Sequence, residues 1–181
     1  MRRTIKHIAL TLVLSVALFS CNQGETLQSY FVNNQETPNF LSVDIPTSFV
    51  NVDQTALTEE QKEAYDSVDK LNMLAYSLDS ANVEGYKIEL AKVQSILKNE
   101  KYEELMSGAS GSIGKFTVKY IGTDTAIDEL IVFGSSEDKG FAVVRVLGDN
   151  MEPAKLMTLG SVLQNADPEM TDVSSILEFF N

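Results

Sequence analysis

The first pattern in the chain is a run of apolar and small residues near the N-terminus. Residues 8–19 are interrupted only by Thr11 and Ser15, and two arginines and a lysine precede them. Such a run is too short to cross a bilayer core of about 30 Å, which requires about 20 apolar residues. A basic start followed by a short apolar run is typical of a signal peptide. We therefore predict that residues 1–20 are cleaved.

The single cysteine follows this run directly. The segment Leu18-Phe19-Ser20-Cys21 resembles a bacterial lipobox, so Cys21 is the predicted lipidation site, and an ordinary signal peptide with an incidental cysteine is the alternative. Several acyl chains on one residue would attach the protein stably to a membrane. Asn22 stands where an aspartate would favour the inner membrane. We therefore expect a bacterial cell-envelope protein, anchored by lipid in the outer membrane, with the leaflet left open.

The next segment is polar, apart from one apolar group, and ends at a proline. We predict that residues 21–38 are a lipidated tether and that residues 39–181 form a single domain. Alternation of apolar and polar residues over 39–45 predicts the first strand, which Pro46 stops. The apolar residues within the predicted tether are Leu27, Tyr30, Phe31 and Val32.

Two helices are predicted in the first half of the domain. Residues 58–61 match a capping box, which favours a helix over about 58–68. A second helix is expected over about 83–98, where apolar residues recur at spacings of three and four. Between them, residues 71–78 fit either a buried strand or a continued helix, and we interpret them as a strand. The apolar stripe of the second helix consists of Tyr86, Leu90, Val93 and Leu97.

The second half of the domain contains the clearest strand signals. Alternation begins at residue 115, a second strand is predicted over 127–133 and a third over 141–147, with short polar links between them. Adjacent strands with short links predict an antiparallel meander. A short strand near 102–106 and a final helix over 153–164 complete the pattern. We predict an α+β domain with an antiparallel meander sheet and helices packed mainly on one face.

This order of elements resembles a known family. The segments Phe-Thr-Val-Lys-Tyr at 116–120, Ile-Asp-Glu-Leu-Ile-Val at 127–132 and Phe-Ala-Val-Val-Arg-Val-Leu-Gly at 141–148 carry the resemblance. The family is domain of unknown function 4252, which comprises exported lipoproteins of Bacteroidota, and the resemblance covers about residues 27–165. It implies an exported lipoprotein. The family has no assigned activity, so the resemblance implies no catalytic residues.

Composition removes several classes of function. The chain has 26 acidic and 14 basic residues, a net charge of −12, and a single histidine, His7. Cleavage after residue 20 would remove that histidine and three cations, which leaves a charge of −15. We therefore exclude histidine-dependent nucleophilic catalysis, histidine-ligated zinc or haem, disulfides and CxxC redox chemistry. Nucleic acid is excluded as a partner because clustered cations are missing.

No cofactor or metal is expected either. Residues 109–116 are a near miss to a phosphate-binding Walker A loop, but they lead into an alternating strand and not into a helix. Four carboxylates lie near turns without the spacing of a calcium loop. They are Asp124, Asp128, Asp149 and Glu152.

Two functions remain open after these exclusions. The first is a non-enzymatic binding or interaction module, attached to the membrane through its acyl chains and paired with an envelope protein partner. The alternative is a small-ligand carrier or a histidine-free hydrolase with a cleft beside the meander sheet. Enzymatic activity is undecided but disfavoured, because no pair of carboxylates stands out.

One group of residues is a candidate site. If the meander links are symmetric, Glu129 faces both Lys119 and Arg145, forming a charge ladder on one face. The ladder is interpreted either as structural ion pairs or as an anion site at the Arg145 fork, and we favour the structural reading because Glu129 would occupy the fork. The opposite face is almost wholly apolar and is expected to carry the helices. It comprises Phe116, Val118, Leu130, Val132, Val144 and Val146.

Overall fold

Six antiparallel strands form one open sheet that organises the protein. The structure is a computed structural model, which describes residues 24–46, 55, 57–110 and 114–163. Strand order across the sheet is β1-β2-β6-β5-β4-β3. The strands are β1 Phe40–Pro46, β2 Val68–Ser77, β3 Glu103–Ser110, β4 Gly114–Thr123, β5 Ala126–Ser136 and β6 Gly140–Met151.

The strand predictions are confirmed. Four consecutive strands, β3 to β6, form the meander, and β6 also pairs with β2, which in turn pairs with β1. The ambiguous residues 71–78 lie in β2, so the strand interpretation is correct. The start of β6 needs a glycine, because Gly140 has a φ of 122° and lies directly against the carbonyl oxygen of Tyr76 in β2. A side chain at position 140 would therefore separate β6 from β2.

Four helices accompany the sheet in the described ranges. They are α1 Leu27–Asn34, α2 Glu59–Asp66, α3 Val83–Leu97 and α4 Pro153–Leu163. The capping box predicted for α2 is present: the N–H of Gln61 donates to Thr58 Oγ1 at 3.3 Å and the N–H of Thr58 donates to Gln61 Oε1 at 2.9 Å. Three residues of the stripe predicted for α3 are buried, and Leu90 packs against the same core. The predicted α+β class is therefore confirmed.

Helix α1 corrects the expectation of a tether over residues 21–38. Thr26 caps the helix and Ser29 bonds back to Thr26, which satisfies N–H groups that have no partner within the helix. Leu27, Tyr30 and Phe31 follow a spacing of three and one, which places them on one side of a helix, and all three are buried in the core. The domain thus includes residues about twelve positions before the predicted boundary at residue 39.

Side chains alternate between the two faces of the sheet. Face 1 carries Leu74, Phe133 and Val143, whereas face 2 carries the residues next to them in each strand. Helices α1 and α3 pack on face 1 and form the larger core. Its aromatic centre is formed by Tyr76 and Phe141, stacked with ring centroids 5.7 Å apart, and by Phe40, which meets Tyr76 edge-on at 4.9 Å.

Face 2 was expected to carry the helices, and this expectation is wrong for the main helical layer. Helices α2 and α4 cover only one end of face 2, around Ile127 and Met151. Phe116 and Val132, which we expected beneath helices, remain half-buried. Face 1 is the more buried face because β1 and β2 add aromatic residues to it. These residues could not be assigned to a face before the strand pairing was known.

Several predictions lie outside the described residues. These are the signal peptide and the lipidation of Cys21.

Candidate functional site

A buried ion pair joins β5 to β6 on face 1. Arg145 Nε donates to Glu129 Oε1 at 2.6 Å and Arg145 Nη2 donates to Glu129 Oε2 at 3.0 Å. The two residues are 7% and 8% exposed. A guanidinium and a carboxylate joined by two hydrogen bonds neutralise each other's charge and match each other's geometry. The fork of Arg145 is therefore occupied.

The pair does not have the register that the sequence suggested. Glu129 lies opposite Leu147, and Arg145 lies opposite Ile131, a shift of two residues from direct opposition. The hairpin turn is centred on Asp138 and not on Glu137, since Ser136 pairs with Gly140. A shift by two keeps every side chain on its face. Long side chains reach diagonal neighbours, so the pair forms despite the wrong register.

Lys119 does not belong to this pair, which corrects the three-residue ladder. It lies opposite Ile131 in β5, and its Nζ donates to the backbone oxygen of Tyr102 at 2.9 Å. Ile131 therefore separates Lys119 in β4 from Arg145 in β6. The structure brings together two of the three candidate site residues and places the third in a different environment.

Further polar residues and helix α1 enclose the ion pair. Asn72 lies opposite Arg145 in β2, is buried, and donates through Nδ2 to Asp44 in β1. Its Oδ1 has no hydrogen-bond partner in the described part of the chain. The ring of Phe31 in α1 lies 5.1 Å from Arg145 Cζ, which closes the pair off from solvent on the helix side.

A groove lies over a second part of face 1, between the C-terminal half of α3 and strand β4. It has a volume of about 300 Å³ and an apolar floor of Leu97 and Phe133, both of which are buried. We call it the lysine groove because three lysines line it. The lining residues are Gln94, Leu97, Lys98, Glu104, Lys115, Thr117, Lys119, Phe133 and Ser135.

The charge of the lysine groove is opposite to that of the chain. Acidic residues outnumber basic ones 26 to 14 in the chain, whereas three lysines and one glutamate line the groove. Within the described ranges none of the three lysines forms an ion pair. The single carboxylate, on Glu104, accepts a hydrogen bond from Ser107 at 2.8 Å. The groove therefore offers unpaired cationic groups above an apolar floor, an arrangement suited to an anion that carries an apolar part.

Sequence reasoning identified Lys119 but missed the groove. Lys115, Thr117 and Lys119 alternate along one strand, so their common face could have been recognised from spacing alone. Lys98 directly follows α3, and only the packing of α3 on the sheet brings it near them. The sequence pattern thus indicates the β4 side of the groove but not the α3 side.

Two carboxylates, one of them the turn residue Asp124, accept hydrogen bonds from a buried tyrosine. The hydroxyl of buried Tyr120 lies 2.6 Å from Asp124 Oδ1 and 3.0 Å from Glu103 Oε2. These hydrogen bonds, that to Asp124 first, raise the pKa of the Tyr120 hydroxyl. Over the described residues, no three acidic, cysteine or histidine side chains gather in a way that could hold a metal ion.

No helix in the described ranges is long and apolar enough to cross a membrane.

Comparison with known proteins gives one match. A search of curated proteins and a search of solved structures each found no match. A family model, described as "Domain of unknown function (DUF4252)", matches residues 30–159, which span β1 to the first part of α4 as well as most of α1. The chain therefore belongs to this DUF4252 family.

Proposed function

We propose that this protein is a lipid-anchored binding protein of the bacterial cell envelope, without enzymatic activity, and that the lysine groove holds its ligand. The observation that carries this proposal is the cluster of three lysines over Leu97 and Phe133, in a chain that is otherwise strongly acidic. Unpaired cations and a buried apolar floor in one groove support binding, since ligand sites combine an apolar lining with a small number of polar groups.

The groove favours a particular ligand chemistry. Lysine ammonium groups act as point charges, which suit a carboxylate or a phosphate without fixing its orientation as an arginine fork would. A volume of about 300 Å³ is at the lower end of the range for small-molecule sites. The ligand we propose is therefore amphiphilic, and the groove holds its anionic group at the lysines and a short apolar part on the floor.

The ligand proposal is tested with residues 22–181, which include all described residues. We expect decyl phosphate to shift NMR signals of Leu97 and Phe133, and inorganic phosphate to bind more weakly because it lacks the apolar part. Replacing Lys98 and Lys115 with glutamine should weaken decyl phosphate binding about tenfold. The matched control replaces Lys62 and Lys70 with glutamine, since both are exposed, lie outside the groove and form no ion pair in the described chain. Equal affinity in the two double variants would refute the proposal.

The anchoring part rests on the signal peptide pattern and on Cys21. Replacing Cys21 with serine should abolish acylation and lipoprotein-type cleavage. We expect mass spectrometry of the parent protein to detect acyl chains on Cys21, and the parent to fractionate with the outer membrane. A Cys21→Ser variant that is cleaved and remains membrane-bound like the parent would contradict this part.

A second candidate function is binding of an envelope protein partner at β3. This strand forms one edge of the sheet, and its residues are exposed along Glu103–Ala109. Leu105 and Met106 are 40% and 45% exposed. An exposed edge presents unpaired backbone groups to which another chain can add a strand.

Photo-crosslinking in cells separates this candidate from the groove proposal. A photoreactive residue in place of Leu105 should give one discrete protein adduct. The same residue in place of Met157, which is exposed on α4, should give none. The same adducts at both positions, or none at position 105, would exclude strand addition at β3.

A further inference from the structure

We propose that the lysine groove faces the membrane that carries the anchor, and that its anion is the phosphate of a phospholipid headgroup. This inference rests on the proposed anchoring and on the proposed anion site, and it adds an orientation and a ligand source. It follows from the short stretch of chain between Cys21 and α1, from the contacts of Tyr102, and from the distribution of charge.

Tyr102 connects the start of the fold to the groove. Its hydroxyl accepts the N–H of Leu27, the first residue of α1, at 3.0 Å, and its carbonyl oxygen accepts Lys119 Nζ at 2.9 Å. The Nζ of Lys101 lies 4.6 Å from the centre of the Tyr102 ring. The beginning of α1 and two lysines, one of them in the groove, are thus in direct contact with a single residue.

The chain between the anchor and this point is short. Thr26 caps α1 and lies five residues after Cys21. Five residues span at most about 18 Å when fully extended. A lipidated Cys21 would therefore hold the start of α1, and with it Tyr102, within about two Debye lengths of the headgroups at physiological salt.

Charge then determines which surface turns toward the membrane. The envelope phospholipids that carry negative charge repel an acidic protein, and they attract lysines that are free of carboxylate partners. Lys98, Lys115 and Lys119 have no ion pair within the described ranges, whereas Lys87, Lys92 and Lys155 each pair with a glutamate. The groove is therefore the place beside the tether where three such lysines meet, since the other lysines without an ion pair in the described chain do not line it. They are Lys62, Lys70, Lys101 and Lys139.

A single-tryptophan experiment tests the orientation, since the chain contains no tryptophan. The full, lipidated protein is reconstituted in phosphatidylethanolamine–phosphatidylglycerol vesicles that carry a nitroxide on some headgroups. Gln94→Trp places the fluorophore at the groove, and Met157→Trp places it on exposed α4 over face 2. We expect quenching to be about twofold greater at position 94 than at position 157, and replacing Lys98 and Lys115 with glutamine to remove the difference.

Equal quenching of the two tryptophans in protein that floats with the vesicles would overturn this inference and leave the anchor proposal intact. Protein that does not float with the vesicles would refute the anchor itself. Excess inorganic phosphate, compared with chloride at equal ionic strength, distinguishes the sources of phosphate. If inorganic phosphate alone removes the difference in quenching, a free anion occupies the groove and the headgroup assignment is wrong.

Discussion

Two cationic regions lie on face 1, and they differ in burial and pairing. At the first, Arg145 is buried under α1 and bonded twice to Glu129. At the second, three lysines line an open groove without ion pairs in the described chain. The sequence offered Arg145 as an anion site only as the alternative to an ion pair with Glu129, and the structure contains that ion pair. A cation is therefore available to a ligand only where the protein has not already neutralised it.

The largest expected effect comes from breaking the buried pair. Glu129→Ala leaves Arg145 buried without a counter-charge, and we expect the free energy of unfolding to fall by about 3–5 kcal/mol. Urea denaturation measures it. Replacing both residues with leucine should restore most of the loss, because two apolar side chains leave no unpaired charge. A loss below about 1 kcal/mol, together with new anion binding at Arg145, would instead favour the ligand reading of this region.

The next effect concerns Tyr102, which lies between the two regions. Tyr102→Phe removes the acceptor for the buried N–H of Leu27, and we expect a loss of about 1–3 kcal/mol. Hydrogen exchange should show faster exchange in α1 and little change in β5. Comparable acceleration throughout the sheet would mean that Tyr102 stabilises the whole fold and not the attachment of α1.

The pH dependence of stability probes the helix that covers the pair. Burial, and then the hydrogen bond to Glu89, raise the pKa of the Tyr30 hydroxyl in α1. The folded protein therefore keeps a proton that the unfolded chain loses above about pH 10, so stability is fully present below that pH and falls as pH rises further. One such group contributes a slope of at most about 1.4 kcal/mol per pH unit. We expect Tyr30→Phe to have a shallower alkaline slope in denaturation midpoints, and an unchanged slope would show that other tyrosines cause it.

The smallest effect on stability is expected in the lysine groove. Replacing Lys98 and Lys115 with glutamine should change the free energy of unfolding by less than about 0.5 kcal/mol, since neither lysine has an ion pair in the described chain. The same variant should bind decyl phosphate about tenfold more weakly. A large loss of stability would indicate that these lysines have a structural role, and the contrast between the two regions would fail.

The fold was predictable wherever local signals were strong. Strict alternation identified β4, and the capping box at Thr58 and Gln61 identified the start of α2. Helix α1 was missed because it is only eight residues long and polar at most other positions, so its helical form depends on burying Leu27, Tyr30 and Phe31 against the sheet.

The candidate site was predictable only in part, for a different physical reason. Glu129 and Arg145 were correctly placed on one face, because side chains alternate along a strand and a shift of two residues in the pairing register does not change their face. Lys119 is offset from Glu129 by the same two residues as Arg145 but donates to the Tyr102 carbonyl oxygen instead, and the groove depends on how α3 lies across the sheet. Both are set by contacts between residues distant in sequence, which a local pattern does not encode.

The pairing of β2 with β6 has a consequence for the order of assembly. These neighbours are separated in sequence by α3 and by three strands, so the centre of the sheet joins residues 68–77 to residues 140–151. Pairing between such distant segments is slow compared with the closure of short hairpins. In a chain that emerges from its N-terminus, β1 and β2 are available early but cannot join the rest of the sheet until nearly the whole domain has emerged. We therefore expect the meander to form as a separate unit from short-range hairpins, with the β2–β6 seam closing last.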